Sequence, residues 1–302
     1  MPYLDVGYGH QLHYESVGDI TTEVPLLFVH GGPGAGVCDT DKALFAGLQR
    51  PVVYFDQRGC GQSRFEQRLN GNTTEQLIDD IEKLRKALSL PKLILVGSSW
   101  GSTLSLLYAL RHPQYVESML LWGIFLCRQQ ELDWFYLHGA SQLYPEEYQK
   151  FMHQVGDVAD PVAAYFDVLS TGNEELQRAA ATSWARWETV NSFFDTDEAT
   201  LQRFTQADSK VPMALLESYY FKHQGFLPPD YILRHCELLR SIPVDIVQGR
   251  LDTICPCGTA WQLAKQLPLC RLYISPRASH AASEPENFSA LRTLLHKLEP
   301  AA

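Results

Sequence analysis

Up to Trp122 the chain alternates short apolar runs with segments of helical period. Leu4 to Tyr8 and Gln11 to Val17 read as two short strands around a Gly9-His10 turn, an antiparallel entry hairpin. Pro25 to His30 is apolar almost throughout, the pattern of a strand buried on both faces of a parallel sheet, and Pro51 to Asp56 is the next strand. From Thr74 the spacing predicts a helix whose apolar face is Leu77, Ile78, Ile81, Leu84 and Leu88; Thr73 and Gln76 have capping-box spacing, and Pro91 ends the segment. A β-branched run from Leu93 passes through a glycine-bounded turn into a second helix with Leu104, Leu107 and Leu110 on one face, and Ser118 to Trp122 is another strand.

The pattern then changes. Between about Cys127 and Leu239 the sequence is rich in aromatic residues and helix-period segments, and no convincing buried strand occurs. Val244 to Gly249 and Arg271 to Ile274 restore the strands, and Glu286 to Leu298 predicts a terminal helix. A strand-helix series interrupted once and then resumed implies an α/β class: a mostly parallel central sheet formed by residues 1–126 and 240–302, carrying an inserted helical cap over 127–239. The length of 302 residues and 45% hydrophobic content allow a core of that size.

Composition narrows the function classes. The formal net charge is −10 with no run of like charges, so nucleic acid and anionic membranes are poor partners and a cationic ligand suits the chain better. No apolar run reaches membrane-spanning length, and Met1 to His10 lacks the basic start and apolar centre of a secretory signal, so a cytoplasmic location is expected. Seven scattered cysteines resemble reduced thiols more than a disulfide framework. Cys255-Pro256-Cys257 has no second ligand pair nearby, so neither metal nor cofactor is expected.

The candidate chemistry lies at strand ends, because ligands of open α/β sheets bind beyond the carboxyl ends of the strands. Gly97-Ser98-Ser99-Trp100-Gly101 stands between a predicted strand and a predicted helix, the setting of a nucleophile elbow, and Ser99 is the candidate nucleophile. Asp252 follows the Val244 strand and His280 follows the Arg271 strand, which completes the order Ser, Asp, His found in α/β-hydrolases. A serine hydroxyl attacks once a neutral imidazole takes its proton, and a carboxylate orients that imidazole. Asp245 lies inside a strand and is the weaker acid candidate; His296, among Leu294, Leu295 and Leu298, reads as structural. The oxyanion needs backbone donors, and the N–H groups of Trp100 and of Gly32 in the glycine loop are the candidates.

Several stretches taken together resemble the prolyl aminopeptidases (proline iminopeptidases) of the α/β-hydrolase fold: His30-Gly-Gly-Pro-Gly34, Asp56-Gln-Arg-Gly-Cys-Gly-Gln-Ser63, Gly97-Ser-Ser-Trp-Gly-Ser102, Gly123-Ile-Phe125, Glu131-Leu-Asp-Trp-Phe-Tyr136, Trp184-Ala-Arg-Trp-Glu188, Glu217-Ser-Tyr-Tyr-Phe221, Gly249-Arg-Leu-Asp252 and Ser279-His280. The resemblance implies removal of N-terminal proline from peptides. It implies further that Glu188 and Glu217 hold the free amino group and that Phe125, Phe135 and Phe221 enclose the proline ring. A cation is what lets two neighbouring carboxylates both ionise in a partly dry pocket, which agrees with that assignment. The chain departs from the family pattern at Ser98, Trp122, Ser218-Tyr219 and Ser279. The expected function is thus a serine aminopeptidase acting on peptides with a free N-terminal proline. The alternatives are an esterase or amidase using the same triad on another small acyl group, and a non-catalytic binding protein of the same fold.

Overall fold

The computed structural model describes residues 2–205 and 207–300, with backbone only at 207–209. Strands β1 (Tyr3–Gly7) and β2 (His10–Val17) form the entry hairpin. β3 (Leu26–Val29) and β4 (Val52–Phe55) are buried at every position, as their unbroken apolar runs require. A two-residue strand, β5 (Arg64–Phe65), pairs with β2; β6 (Leu93–Ser98), β7 (Val116–Trp122), β8 (Val244–Gly249) and β9 (Cys270–Ser275) complete the sheet. The order is β1-β2-β4-β3-β6-β7-β8-β9, antiparallel at the β1-β2-β4 edge and parallel from β4 to β9.

Successive side chains of a strand point to opposite faces, and the core divides accordingly. Leu27, Val29 and Leu95 pack on one face against α2 (Thr74–Ala87) and α3 (Trp100–Arg111) through Leu77, Ile81, Leu104 and Leu107. Leu26, Phe28, Ile94 and Val96 pack on the other face with Leu44 of α1 (Asp39–Leu44) and with the Leu291, Leu294 and Leu295 stripe near the C-terminus. Two local expectations are corrected. Thr73 is the N-cap of α2 but makes no side-chain capping bond. The helix also stops before Pro91 acts: Leu88 is its C-cap, and Ser89 takes a left-handed φ of 55° that turns the chain.

The chain leaves β7 and runs through α4 (Gln129–Asp133), a π-helical turn at Trp134–His138, α5 (Ala140–Leu143), α6 (Pro145–His153), α7 (Pro161–Thr171), α8 (Glu174–Ser192), α9 (Glu198–Phe204), α10 (Ala207–Lys222) and α11 (Tyr231–His235) before returning to β8. The aromatic richness of this stretch makes its own core. Phe151 stacks on Tyr165 at 4.5 Å, and Tyr136, Trp184 and Trp187 surround the pair at centroid distances of 5.2 to 6.1 Å. Hydrogen bonds from Tyr220 Oη to Asn72 Oδ1 (2.7 Å) and from Thr74 Oγ1 to the Gly225 carbonyl (2.6 Å) fasten it to the sheet layer. α12 (Cys257–Gln266) and α13 (Pro285–Lys297) close the chain. No described helix is long and apolar enough to cross a membrane.

Candidate active site

Ser99 sits between β6 and α3 with φ 51° and ψ −122°, a strained conformation that lifts its side chain out of the sheet at the start of the helix. The flanking glycines make the turn possible by close approach. A Cβ on Gly101 would lie 1.9 Å from the Val29 carbonyl oxygen, and one on Gly97 would lie 2.5 Å from the Gly101 carbonyl oxygen. Neither contact can be relieved by a side-chain rotation, since both partners are backbone. The Ser99 N–H is held by the Trp122 carbonyl at 3.0 Å, which ties the elbow to β7.

Asp252 and His280 meet across the loops after β8 and β9, with His280 Nδ1 donating to Asp252 Oδ2 at 2.8 Å. That bond fixes the proton on Nδ1 and leaves Nε2 as the acceptor of a ring that lines the cavity. Asp252 is buried and saturated: Oδ1 takes the backbone N–H groups of Ile254 (3.0 Å) and Cys255 (2.8 Å), and Oδ2 also takes the Gln248 amide at 2.9 Å. Burial pulls the His280 pKa down, but the Asp252 charge and hydrogen bond together with the Glu188 charge outweigh it, and the net value lies above the ordinary imidazole.

Ser99 and His280 line one cavity of about 360 Å³, together with Gly32, Phe125, Phe135, Glu188, Glu217 and Phe221. The residues singled out in the sequence thus converge, although they come from β6, the glycine loop, the β7–α4 loop, the π-helical turn, α8, α10 and the β9–α13 loop. Trp100 supplies an N–H at the first position of α3, while its indole is buried behind the elbow and donates to Gln57 Oε1 at 3.1 Å. Phe125 packs edge-on to Phe221 at 5.7 Å, and Phe135 stacks on Trp187 at 5.6 Å, so the aromatic wall is itself braced.

Glu188 and Glu217 line the same cavity, Glu217 buried and Glu188 half-buried. Both carboxyls are raised, each first by burial; the Glu188 charge pushes Glu217 up further, and one proton shared between the two carboxyls lowers Glu188 in partial compensation. Trp184 Nε1 donates to Glu217 Oε2 at 2.7 Å and aims that carboxylate. Two neighbouring carboxyls on one cavity wall, Glu217 buried and Glu188 half-buried, are an acceptor for a cationic group. The Tyr136 phenol, facing the same pair, is pushed well above its ordinary range by burial and by both glutamates.

Other candidates fall elsewhere. Asp245 is engaged by Arg271 in a bidentate pair at 2.7 and 2.6 Å, and His296 is exposed beside Arg292 at 3.1 Å. Cys255 lies buried against the Ser99 side chain, and Cys257 faces Arg250 at 3.8 Å; among the described residues no three metal-binding side chains gather. Of the departures from the family pattern, Ser279 is buried and donates to the Asn191 carbonyl at 3.1 Å, while Ser218 donates to the Ala214 carbonyl at 2.7 Å within α10. Sequence reasoning missed Gln57, Gln248, Trp184, Tyr136 and Lys210. Gln57 and Gln248 stand at strand ends, and Gln57, Tyr136 and Trp184 lie inside stretches that carry the family resemblance; only Lys210 carries no signal of its own.

The family model for the alpha/beta hydrolase fold matches residues 24–286. A proline iminopeptidase of Neisseria meningitidis serogroup B is 38% identical over 302 residues, covering 99% of this chain and 96% of its own. A proline iminopeptidase of Xylella fastidiosa (strain Temecula1) is 38% identical over 291 residues, covering 95% and 93%. This chain belongs to the proline iminopeptidase family. Within the wider fold, an esterase of Exiguobacterium antarcticum superposes with a TM-score of 0.70 over 98% of both chains at 18% identity, a likeness of fold alone. Membership of the family accounts for stretches on both the sheet and the inserted helices, whereas the fold accounts only for the elbow and the strand ends.

Proposed function

We propose that this protein is a serine aminopeptidase that releases N-terminal proline from peptides through a prolyl-enzyme ester. Residues 127–239 serve as a cap over a core of 1–126 and 240–302. The carrying observation is the Glu188–Glu217 pair in the same cavity as Ser99 and His280. Substrate enters with its cationic amino end against the two carboxylates and its ring among Phe125, Phe135 and Phe221. Ser99 Oγ attacks the prolyl carbonyl as His280 Nε2 takes its proton. The oxyanion is met by the Trp100 and Gly32 N–H groups, and His280 then protonates the departing peptide nitrogen. Water, deprotonated by His280, hydrolyses the ester and frees proline. Asp252 keeps the imidazole in the tautomer that both steps need. No step calls for a metal or an organic cofactor. Seven cysteines, all free, suit a reducing cytoplasm.

The test is a paired assay of proline p-nitroanilide and its N-acetyl form on the parent, Glu188→Gln and Glu217→Gln. Free-amine substrate is cleaved about 30-fold or more faster, and either substitution lowers its kcat/KM by a similar factor, because truncating a buried charge pair removes roughly 2 to 5 kcal/mol. Equal cleavage of both substrates by the parent would instead favour the esterase or amidase reading.

A further inference from the structure

A second cavity of about 300 Å³ adjoins the first and shares Asp41, Glu188, Ser192, Phe204, Lys210 and Met213 with it. Its remaining wall is mostly apolar and includes Trp122, Phe193 and Phe288. The wall also contains Ala281, Ala282 and Ser283, the residues immediately after His280. This placement is informative because the imidazole has to protonate the leaving nitrogen, so the departing part of a substrate lies on the His280 side of the scissile bond. Phe125, Phe135 and Phe221 line the first cavity and not the second. The two cavities therefore correspond to the two sides of that bond.

Charge then restricts what the second cavity can accept. Asp41, Glu131, Glu188 and Glu217 all line the first cavity, and Asp41 and Glu188 the second; among the described lining residues Lys210 is the sole lysine or arginine of either. Asp41 is already held by the Cys38 N–H at 3.0 Å and the Cys38 thiol at 3.1 Å, and Glu131 by Arg128 at 3.1 Å. The Lys210 ammonium stands 5.9 Å from the centroid of the Phe204 ring and forms no ion pair with Glu188 or Glu217, although its charge is felt by both. A carboxylate entering this region has one favourable neighbour.

We infer that the second cavity is the leaving-group subsite, that it takes an apolar residue ending in a free carboxylate, and that Lys210 pairs with that carboxylate. The preferred substrates are accordingly dipeptides of proline followed by an apolar residue. This rests on the aminopeptidase reading above, and the side chain of the second residue sits against Trp122, Phe193 and Phe288. Lys210 is a specificity residue and takes no part in bond breaking.

The experiment compares Pro-Phe with Pro-Phe-amide, which differ only in the terminal charge, on the parent, Lys210→Gln and Lys210→Arg. The ratio of kcat/KM for acid over amide is about tenfold or more in the parent, falls to about one in Lys210→Gln chiefly through KM, and is restored in Lys210→Arg. A parent ratio near one, or a ratio unchanged by Lys210→Gln, overturns the subsite while leaving prolyl release intact. Failure of the parent to cleave either compound overturns the subsite and the aminopeptidase reading together.

Discussion

Both carboxylate oxygens of Asp252 are taken up by the protein, so its charge is fixed in place beside the imidazole of His280. The sign of the pH dependence follows. In the proposed mechanism His280 works as a base only when neutral, and its pKa stands above 6.5 because Asp252 and Glu188 together outweigh burial. The glutamate pair accepts an ammonium fully only after losing its shared proton, and burial raises that ionisation too. Both effects push the acidic limb of kcat/KM for a prolyl arylamide upward, so it is expected to lie above pH 6.5 and to be steeper than a single ionisation; a pH-rate profile with a midpoint below 6 would contradict this. Asp252→Asn should lower kcat about 10⁴-fold by releasing the tautomer, and Ser99→Ala should remove roughly six orders of magnitude. At this scale the sequence is legible where chemistry demands a residue type at a strand end, as for Ser99, Asp252 and His280. It gives Gln248 and Gln57 a strand-end position but no role, because a buried amide serves many ends. Glu188 and Glu217 stand out only through the family resemblance, since a glutamate on a helix is ordinarily a surface residue.

The elements were read most easily where burial is two-sided. β3, β4 and β6 announce themselves as apolar runs, and α2 shows its stripe because only one face is covered. The π-helical turn at Trp134–His138 could not be read: its aromatics pack all round, and no periodicity distinguishes it from α-helix. The glycines of the elements carry sharper information, because their neighbours are specific. Gly101→Ala drives a methyl into the Val29 carbonyl and must displace α3 from β3; a loss of about 3 kcal/mol or more in urea denaturation is expected, with little soluble active protein. Gly123, after β7, has φ 55°, and a Cβ there would lie 2.6 Å from His280 Cε1. That neighbour is a side chain, and it can move. Gly123→Ala should therefore cost activity beyond its cost in stability: about 100-fold in kcat for an imidazole displaced by roughly an ångström. A variant with a normal kcat would show that His280 has room to spare.

Across the whole molecule, α8 is the part that joins the proposed amine site to the proposed triad. It carries Trp184 and Glu188, and its last turn bonds directly to both catalytic loops: the Ser192 carbonyl accepts the His280 and Ala281 N–H groups at 3.1 and 2.9 Å, and the Asn191 carbonyl accepts Ser279 Oγ and Thr253 Oγ1, each at 3.1 Å. The Asn191 side chain completes the joint, with Oδ1 accepting from Thr253 Oγ1 at 2.9 Å and Nδ2 donating to the Trp187 carbonyl at 2.8 Å, in full burial. The layout of sheet and inserted helices was legible from the break in strand pattern at Cys127, but this joint was not, because it pairs residues some sixty to ninety positions apart through backbone carbonyls that no side-chain pattern encodes. The joint has a mechanical consequence. If the amine site and the imidazole are held in register through α8, loosening its end changes the distance between where the ammonium is held and where the carbonyl is attacked. Asn191→Ala leaves the Thr253 hydroxyl without one of its acceptors in a buried setting, a destabilisation of about 1 to 3 kcal/mol. It should also lower kcat and raise KM for the free-amine substrate together, although Asn191 touches neither end of it. A cleavage rate on an uncharged prolyl ester that falls much less than the rate on the free-amine substrate would place the effect in the register between the two sites. Equal losses on both would place it in the triad loop alone.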